Sequence, residues 1–299
     1  MTAFVTIGIC VRNCEEFVEN AIKSVVNQDF PKNKMEIIFV DDGSTDRTLA
    51  IIKDFASKNE IKTKVFHQRW KGLGATRNVV VQNASGKYII WLDGDMELPK
   101  EHVRKQVEYM ELHPKVGAAK ARYGFLKNVN LVAMLENVRA FDLRPSSSKL
   151  VGTGGSIYRV EAIRQIGGFD GHIRGAGEDI DALIRMRESG WFLSTTQAKF
   201  YEKFKDTWRS LWIQCYWWGY GAHYVHHKHK CAFPLFVRLP PVAFLLGFLK
   251  FFLIYRTHRK IEYFLIPVHN MFKEAAWLLG FTRSHVNGYG HKHNCNKGA

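Results

Sequence analysis

Two periodicities take turns along the first hundred residues. Runs dominated by apolar or β-branched positions, AFVTIGI (3–9), MEIIFVD (35–41) and KYIIWLD (87–93), and the more polar KTKVFH (62–67), predict strands. Between them, 15–27, 45–57 and 73–84 space their apolar residues three or four apart and predict helices. The resulting βαβαβαβ series predicts an α/β fold, a mostly parallel sheet flanked by helices on both faces. Sheets of this kind bind ligands beyond the carboxyl ends of their strands. The polar loops stand there: Asn13 after the first strand, DDGSTD (41–46) after the second, KGLGATRN (71–78) after the third and DGD (93–95) after the fourth. No internal repeat or low-complexity segment interrupts the pattern.

Composition narrows the class. A chain of 299 residues with 46% hydrophobic and 24% charged positions can bury a sizeable core. The 43 Lys and Arg against 28 Asp and Glu leave a formal charge of +15 and predict an affinity for anions. Five scattered cysteines, at 10, 14, 215, 231 and 295, fit reduced thiols better than a disulfide framework. Met1 leads into TAFVTIGI without a basic flank or cleavage site, so no signal peptide is expected and the bulk of the chain is expected to face the cytoplasm.

Against that basic background, three carboxylates at alternate positions, Asp93, Asp95 and Glu97, follow the fourth strand. Oxygen ligands so spaced suit a hard divalent cation, which keeps waters and bridges to phosphate. Read singly, each loop has another use. Asp41, Asp42 and Asp46 around Gly43 fit a turn with a helix cap, and DGD fits a surface turn. GLGATR has Arg77 where a dinucleotide fingerprint needs its third glycine, which argues against a Rossmann oxidoreductase. Glu178 and Asp179 fit a helix cap over 179–190 as well as a catalytic pair.

Taken together, TIGICVRNCEEFVENAIKSVVNQ (6–28), EIIFVDDGSTDRT (36–48), GLGATRNVVVQNASGKYIIWLDGDMEL (72–98), GTGGSIYRVEAIRQIGGFD (152–170) and GAGEDIDALIRMRESGW (175–191) resemble, in order, the blocks of the family 2 glycosyltransferases. The resemblance spans roughly residues 3 to 200 and implies the GT-A fold. It further implies a nucleotide-diphospho-sugar donor, with UDP the default base, Mg²⁺ or Mn²⁺ at the DxD, and inversion at the anomeric carbon. Cys10, Arg12 and Asn13 take the place of the family's Pro-Thr-Tyr-Asn loop; only the Asn is kept, so Arg12 is expected to cover the base in place of the Tyr. Asp42 matches the acid that contacts the nucleoside, Arg77 the Arg of ARN, and Asp93 the residue that reaches the ribose or a metal-bound water. Asp95 matches the direct metal ligand, with Glu97 a second candidate, and Asp41 and Gly94 belong to the same donor loops. Glu178 and Asp179 match the ED pair, whose Asp is the family's general base. Single displacement needs such a base, because the attacking hydroxyl must lose its proton as the bond forms. Gly154 and Gly155 would form a close-approach floor between donor and acceptor.

Three ranges follow: a donor half at 1–99, an acceptor half at 100–205, and aromatic and basic helices at 206–299. In the last, QCYWWGYG (214–221) has Trp217 where processive synthases carry Arg, which disfavours polymer synthesis. HYVHHKHK (223–230) fits no zinc spacing well and reads as a basic surface that meets phosphate groups. LPPVAFLLGFL (239–249), bounded by Arg238 and Lys250, and YFLIPVHNMFKEAAWLLGF (263–281) fall short of uninterrupted spans. Amphipathic or re-entrant helices are expected there, at the cytoplasmic face of an anionic membrane, with polyprenyl-phosphate or a lipid-linked sugar as acceptor and no nucleic acid as partner. The competing class is a catalytically inactive, basic nucleotide- or nucleic-acid-binding protein on the same fold, against which the retained Asp42, Asp93, Asp95 and Asp179 argue.

Overall fold

The computed structural model describes residues 5–141, 152–173, 175–230 and 235–288. The described residues fold as two compact units: those up to 124 with those of 152–172 and 178–203, and those of 125–141 with 173, 175–177 and the described residues from 204 to 288. Residues 125–141 thus belong with the C-terminal helices rather than with the rest of 100–205.

In the first unit β1 (Val5–Val11), α1 (Val18–Val26), β2 (Met35–Asp41), α2 (Thr48–Lys58), β3 (Lys62–His67), α3 (Leu73–Asn83) and β4 (Tyr88–Asp93) follow one another as the periodicity predicts. They continue into β5 (Met96–Glu97), α4 (His102–Leu112), β6 (Val116–Tyr123), β7 (Ser156–Arg159), α6 (Val160–Gln165), α7 (Glu178–Glu188) and β8 (Phe192–Glu202); α5 (Leu131–Glu136) lies in the second unit. Strand order is β3-β2-β1-β4-β7-β6-β8-β5. β1 pairs in parallel with β2 and β4, and β2 with β3, so four loops leave one sheet edge together. β7 runs antiparallel to β4 and β6 and carries the glycine loop before it back to that edge.

The central strands are apolar on both faces because both faces are covered. Ile7, Ile9, Ile37, Phe39, Ile90 and Leu92 pack under α1, α2 and α4 through Val18, Ile22, Ile52 and Val107. Ile38, Val40, Ile89 and Trp91 pack under α3, α6 and α7 through Val80, Ile163 and Leu183. Each such side chain contributes about 1.5–3 kcal/mol of burial.

The second unit holds α5 with α8 (Trp208–His229), α9 (Pro240–His258) and α10 (Ile266–Val286). Met134 and Leu135 pack with Phe251, Ile254, Tyr263 and Ile266, and Val132 packs with Leu211, Cys215 and Ala276. α9 continues past Lys250 to His258, so by length and composition it is long and apolar enough to cross a membrane, unlike the shorter uncharged run read from the sequence. Leu245, Leu246, Leu249, Phe252 and Leu253 remain exposed on it. Cys10, Cys14 and Cys215 are free thiols, while Cys231 and Cys295 lie outside the described residues.

One buried carboxylate ties the strand starts together. Glu36 on β2 accepts hydrogen bonds from the Thr6 hydroxyl (2.7 Å) and from the Ser85 amide and hydroxyl (2.6 Å each), with Lys64 3.6 Å away. Burial pushes its pKa up, but the Ser85 and Thr6 donors and Lys64 outweigh burial, and the net shift is downward from the ordinary 4.5. Stability from this group is therefore present above 4.5 and fades as pH falls through its folded value. Glu36→Gln is expected to cost about 1.5–3 kcal/mol at neutral pH in denaturant unfolding, since the donors would lose a charged acceptor. The gap to wild type should close in acid; a gap independent of pH would contradict this assignment.

Candidate active site

The loops after β1 and β2 lock into each other. Asn13, held at φ 48°, accepts the Thr45 amide on its side-chain oxygen (2.8 Å) and donates its own amide to the Ser44 hydroxyl (3.0 Å). The Glu15 carboxylate accepts the Arg47 amide, and Asp46 accepts the amides of Glu15 and Thr48. Asp41 is fully buried and takes the Ser44 hydroxyl, the Ser44 amide and the His67 ring (2.7 Å), so it shapes the loop from below. Asp42 accepts from the Gln68 side chain and from the Lys71 and Gly72 amides, which fixes the third loop to the second. Cys10 is buried beneath them, and burial pushes its thiol up to about 12, leaving it protonated and inert.

The exposed face of these loops carries a pair that sequence reading identified only by half. The Arg12 guanidinium lies 5.3 Å from the Trp70 ring centroid, and the indole is 61% exposed. A planar cation over an accessible aromatic ring is a stacking platform. Trp70 was missed because a single Trp in a polar loop, QRWKG, has no periodic signature; its exposure is the signal, and only the fold reveals it.

Arg77 is not at the surface. It is buried with Glu178, each side chain 3% exposed; its guanidinium donates to the Glu178 carboxylate and lies 3.6 Å from Asp93. Trp91 and Phe169 flank it at 5.9 and 5.7 Å. Burial pushes Glu178 upward against the pull of Arg77, with Asp179 adding to the push. The pair acts as a strut that joins α3 to the first turn of α7.

Asp93, Asp95 and Asp179 are all partly exposed, and a loop of glycines joins two of them. A Cβ on Gly154 would stand 2.9 Å from Asp93 Oδ2, and one on Gly152 would stand 3.0 Å from Asp179 Oδ2. The Thr153 amide donates to Asp179 Oδ2 (3.3 Å), and Asp179 Oδ1 accepts the Ile180 amide (2.7 Å). Gly155, at φ 67°, packs against the Phe200 ring and gives its amide to the Trp91 carbonyl. Gly94 packs against Cys14, whose thiol burial raises to about 11. Glu97 is exposed on β5, where it pairs with Tyr201 of β8. Among the described residues, a trio of metal-ligating atoms within 4.8 Å of one another occurs only at His223, His227 and His285, so Asp93, Asp95 and Glu97 do not converge to that degree.

Lys120 on β6 lies under the glycine floor and was also missed. Its ammonium donates to the carbonyls of Gly152 (3.0 Å) and Gly154 and lies 4.6 Å from the Phe200 ring centroid. Burial lowers its pKa to about 8, against the upward pull of Glu202, Asp93 and Asp179. In VGAAKARY the lysine sits at one position of a strand pattern that gives no sign of what lies above it.

Comparison with known proteins identifies the family and the fold. Residues 88–282 match Glycosyl transferase family group 2. A poly(ribitol-phosphate) β-N-acetylglucosaminyltransferase of Staphylococcus aureus, TarS, is 32% identical over 34% of this chain and 18% of its own length. Glycosyltransferase AglE of Haloferax volcanii is 24% identical over 64% of each chain. This chain therefore spans only part of these relatives. Among solved structures, the mannosyltransferase PcManGT of Pyrobaculum calidifontis in complex with GDP-Man and Mn²⁺ superposes with a TM-score of 0.61 over 96% of this chain and 75% of that one, at 16% identity. TarS 1–349 in complex with UDP superposes with a TM-score of 0.55 over 94% and 91%, at 17% identity. The fold is that of the GT-A glycosyltransferases, and with more than half of its length, residues 6–167, matching the description Glycosyl transferase family 2, the chain belongs to glycosyl transferase family 2.

Proposed function

We propose that the protein is an inverting transferase that moves a sugar from a nucleotide-diphospho-sugar, a UDP-sugar first, to a hydroxyl or phosphate of a lipid-linked acceptor such as a polyprenyl-phosphate or lipid-linked sugar. The observation that carries this reading is the glycine floor, whose residues 152 and 154 stand against Asp179 and Asp93 at 3.0 and 2.9 Å for an added Cβ. Two carboxylates with different tasks thus approach the backbone of one short loop, which only residues without side chains at 152 and 154 allow, with Met96 packed on Gly154 beside Asp93.

The donor's base stacks at the Arg12–Trp70 platform, and its ribose and diphosphate follow the loop edge past Asn13 and Asp42 to Asp93. Asp95 with Asp93 offers the carboxylate oxygen set that suits Mg²⁺ or Mn²⁺, and such an ion when bound supplies positive charge for the diphosphate. The donor set fits it, because Asp93 and Asp95 stand at alternate positions with both side chains partly exposed, offering the carboxylate oxygens that a hard ion takes. Asp179 takes the proton of the acceptor hydroxyl as that oxygen attacks from the face opposite the diphosphate. Its carboxylate is aimed by the Thr153 and Ile180 amides and is favoured by the N-terminus of α7. Lys120 holds the carbonyls of the floor from beneath, so that the floor's Cα atoms face the substrate. A silent nucleotide-binding protein would have no use for Asp179 and the floor, which favours the enzyme.

The second unit supplies the membrane side of the proposal. The exposed leucines and phenylalanines of α9 border Arg256, Arg259 and Lys260, the combination of an apolar face with basic residues that seats a helix in an anionic interface. We assign the protein to the cytoplasmic face of the cell membrane, peripheral or re-entrant.

Nucleotide sugars screened with polyprenyl-phosphate and lipid-linked sugars, in Mg²⁺ or Mn²⁺, should give transfer by the wild type. Asp179→Asn should keep donor binding by calorimetry and slow transfer about 10²- to 10⁴-fold, whereas Asp95→Ala should lose metal-dependent donor binding. Near-wild-type turnover of Asp179→Asn would remove it from the base role, and donor binding by Asp95→Ala unaffected by chelator would remove the metal from Asp95. In vesicle flotation, the full chain should float with anionic liposomes, and the variant carrying Leu245→Glu, Leu249→Glu and Phe252→Glu should not. Equal flotation of both, or soluble behaviour of the wild type without lipid, would refute the interfacial reading.

A further inference from the structure

The histidines of 223–230 gain a partner that their own stretch does not contain. His223 and His227 are one turn apart on α8, so both rings leave the same side of the helix. α10 brings His285 to them. His223 Nε2 lies 3.1 Å from His285 Nδ1 and 3.0 Å from His227 Nε2, and one ligand nitrogen from each ring lies within 4.8 Å of the other two.

This convergence suits a cation better than a hydrogen-bond chain. A neutral imidazole nitrogen carries either one proton or one in-plane lone pair, so His223 Nε2 can serve one neighbouring ring nitrogen well and not two. A metal ion between the rings takes one lone pair from each. Metal–nitrogen bonds of about 2.0–2.1 Å at tetrahedral angles put ligand nitrogens about 3.4 Å apart, close to the two short separations here. His223 is buried, with the Phe281 ring edge-on at 4.9 Å, while His285 is exposed, so one side of the cluster opens to water.

The register that aligns the rings is set elsewhere on the same helices. Any Cβ on Gly219 would run into the Trp277 backbone, and any on Gly280 into the Tyr216 backbone, so α8 and α10 touch main chain to main chain there. His223 follows Gly219 by four residues and His285 follows Gly280 by five, about one turn beyond the contact on each helix. Beyond it, the Asn287 side chain donates to the Tyr220 hydroxyl at 3.2 Å. The crossing is therefore fixed by small residues, and the histidines are placed by it.

We propose that His223, His227 and His285 form a three-histidine site for a borderline divalent transition metal, Zn²⁺ foremost, with the fourth position left to water, which fastens α8 to α10. Imidazole nitrogen suits Zn²⁺, Ni²⁺ or Co²⁺ rather than the hard Mg²⁺ or Mn²⁺ suited to carboxylates, so the two sites take different ions. The proposal does not depend on the donor site.

The test uses the full chain purified without a polyhistidine tag, stripped with chelator and dialysed. Titration calorimetry and elemental analysis should find one Zn²⁺ per chain, Co²⁺ should give the visible bands of a tetrahedral ion, and Zn²⁺ should raise the thermal midpoint. Asp95→Ala should keep all three signals. His285→Ala, a change at an exposed position, should lose them, as should the His223→Ala and His227→Ala pair. Failure of the wild type to bind Zn²⁺ stoichiometrically would overturn the site. So would full binding by the His285→Ala and His227→Ala double variant, which would assign the metal to other histidines, such as those at 291 and 293.

Discussion

The candidate active site rests on one buried ion pair, Arg77 with Glu178. Neither charge is accessible to water, and breaking such a pair from one side typically costs about 3–5 kcal/mol, because the remaining charge has no solvent to turn to. That asymmetry makes the pair a strong positional constraint. Glu178 begins α7, so fixing it fixes Asp179, the next residue, and the 3.6 Å approach of Arg77 to Asp93 ties the end of β4 to the same point. The loops before and after the sheet edge are thereby referred to a single guanidinium.

Around that strut the charges alternate. Asp93 and Asp179 face the glycine floor from above, Lys120 holds it from below, and Arg77 stands behind. A chain of net charge +15 can gather carboxylates at the mouth of a strand because buried cations neutralise them before any ligand arrives. Burial lowers Lys120 to about 8, so its charge is retained at neutral pH by the acids it faces. The glycines are the complement of this crowding, since a Cβ at 154 would collide with Met96 and press on Asp93, and one at 152 would press on Asp179.

Much of the fold was legible in sequence because its strands are apolar on both faces, and burial on both sides leaves near-continuous runs such as EIIFVD. The sheet-edge loops were legible for a related reason: their polar residues hydrogen-bond to one another instead of packing in the core, so they interrupt the apolar pattern just where strands end. What stayed hidden depends on convergence of distant segments. The pairing of Arg77 with Glu178 joins residues 101 positions apart, and nothing in a linear motif reveals it. Lys120, separated from Gly152 by 32 positions, and His285, separated from His223 by 62, carry no local signal of their partners. α9 runs past Lys250 to His258, three residues beyond Tyr255, the end expected for a run in which the Lys250 amine is directed outward. Trp70 was passed over because exposure is a property of the fold.

The central claim is that Asp179 and Asp93, held across one glycine floor, carry out a single displacement. Proton NMR of the transferred sugar, recorded on fresh product from an α-linked nucleotide-sugar donor, tests it most directly. The account predicts a β-configured product from the first turnover onward, with no α product preceding it. An α-configured product would contradict it, because retention requires a mechanism in which Asp179 does not activate the attacking hydroxyl from the opposite face.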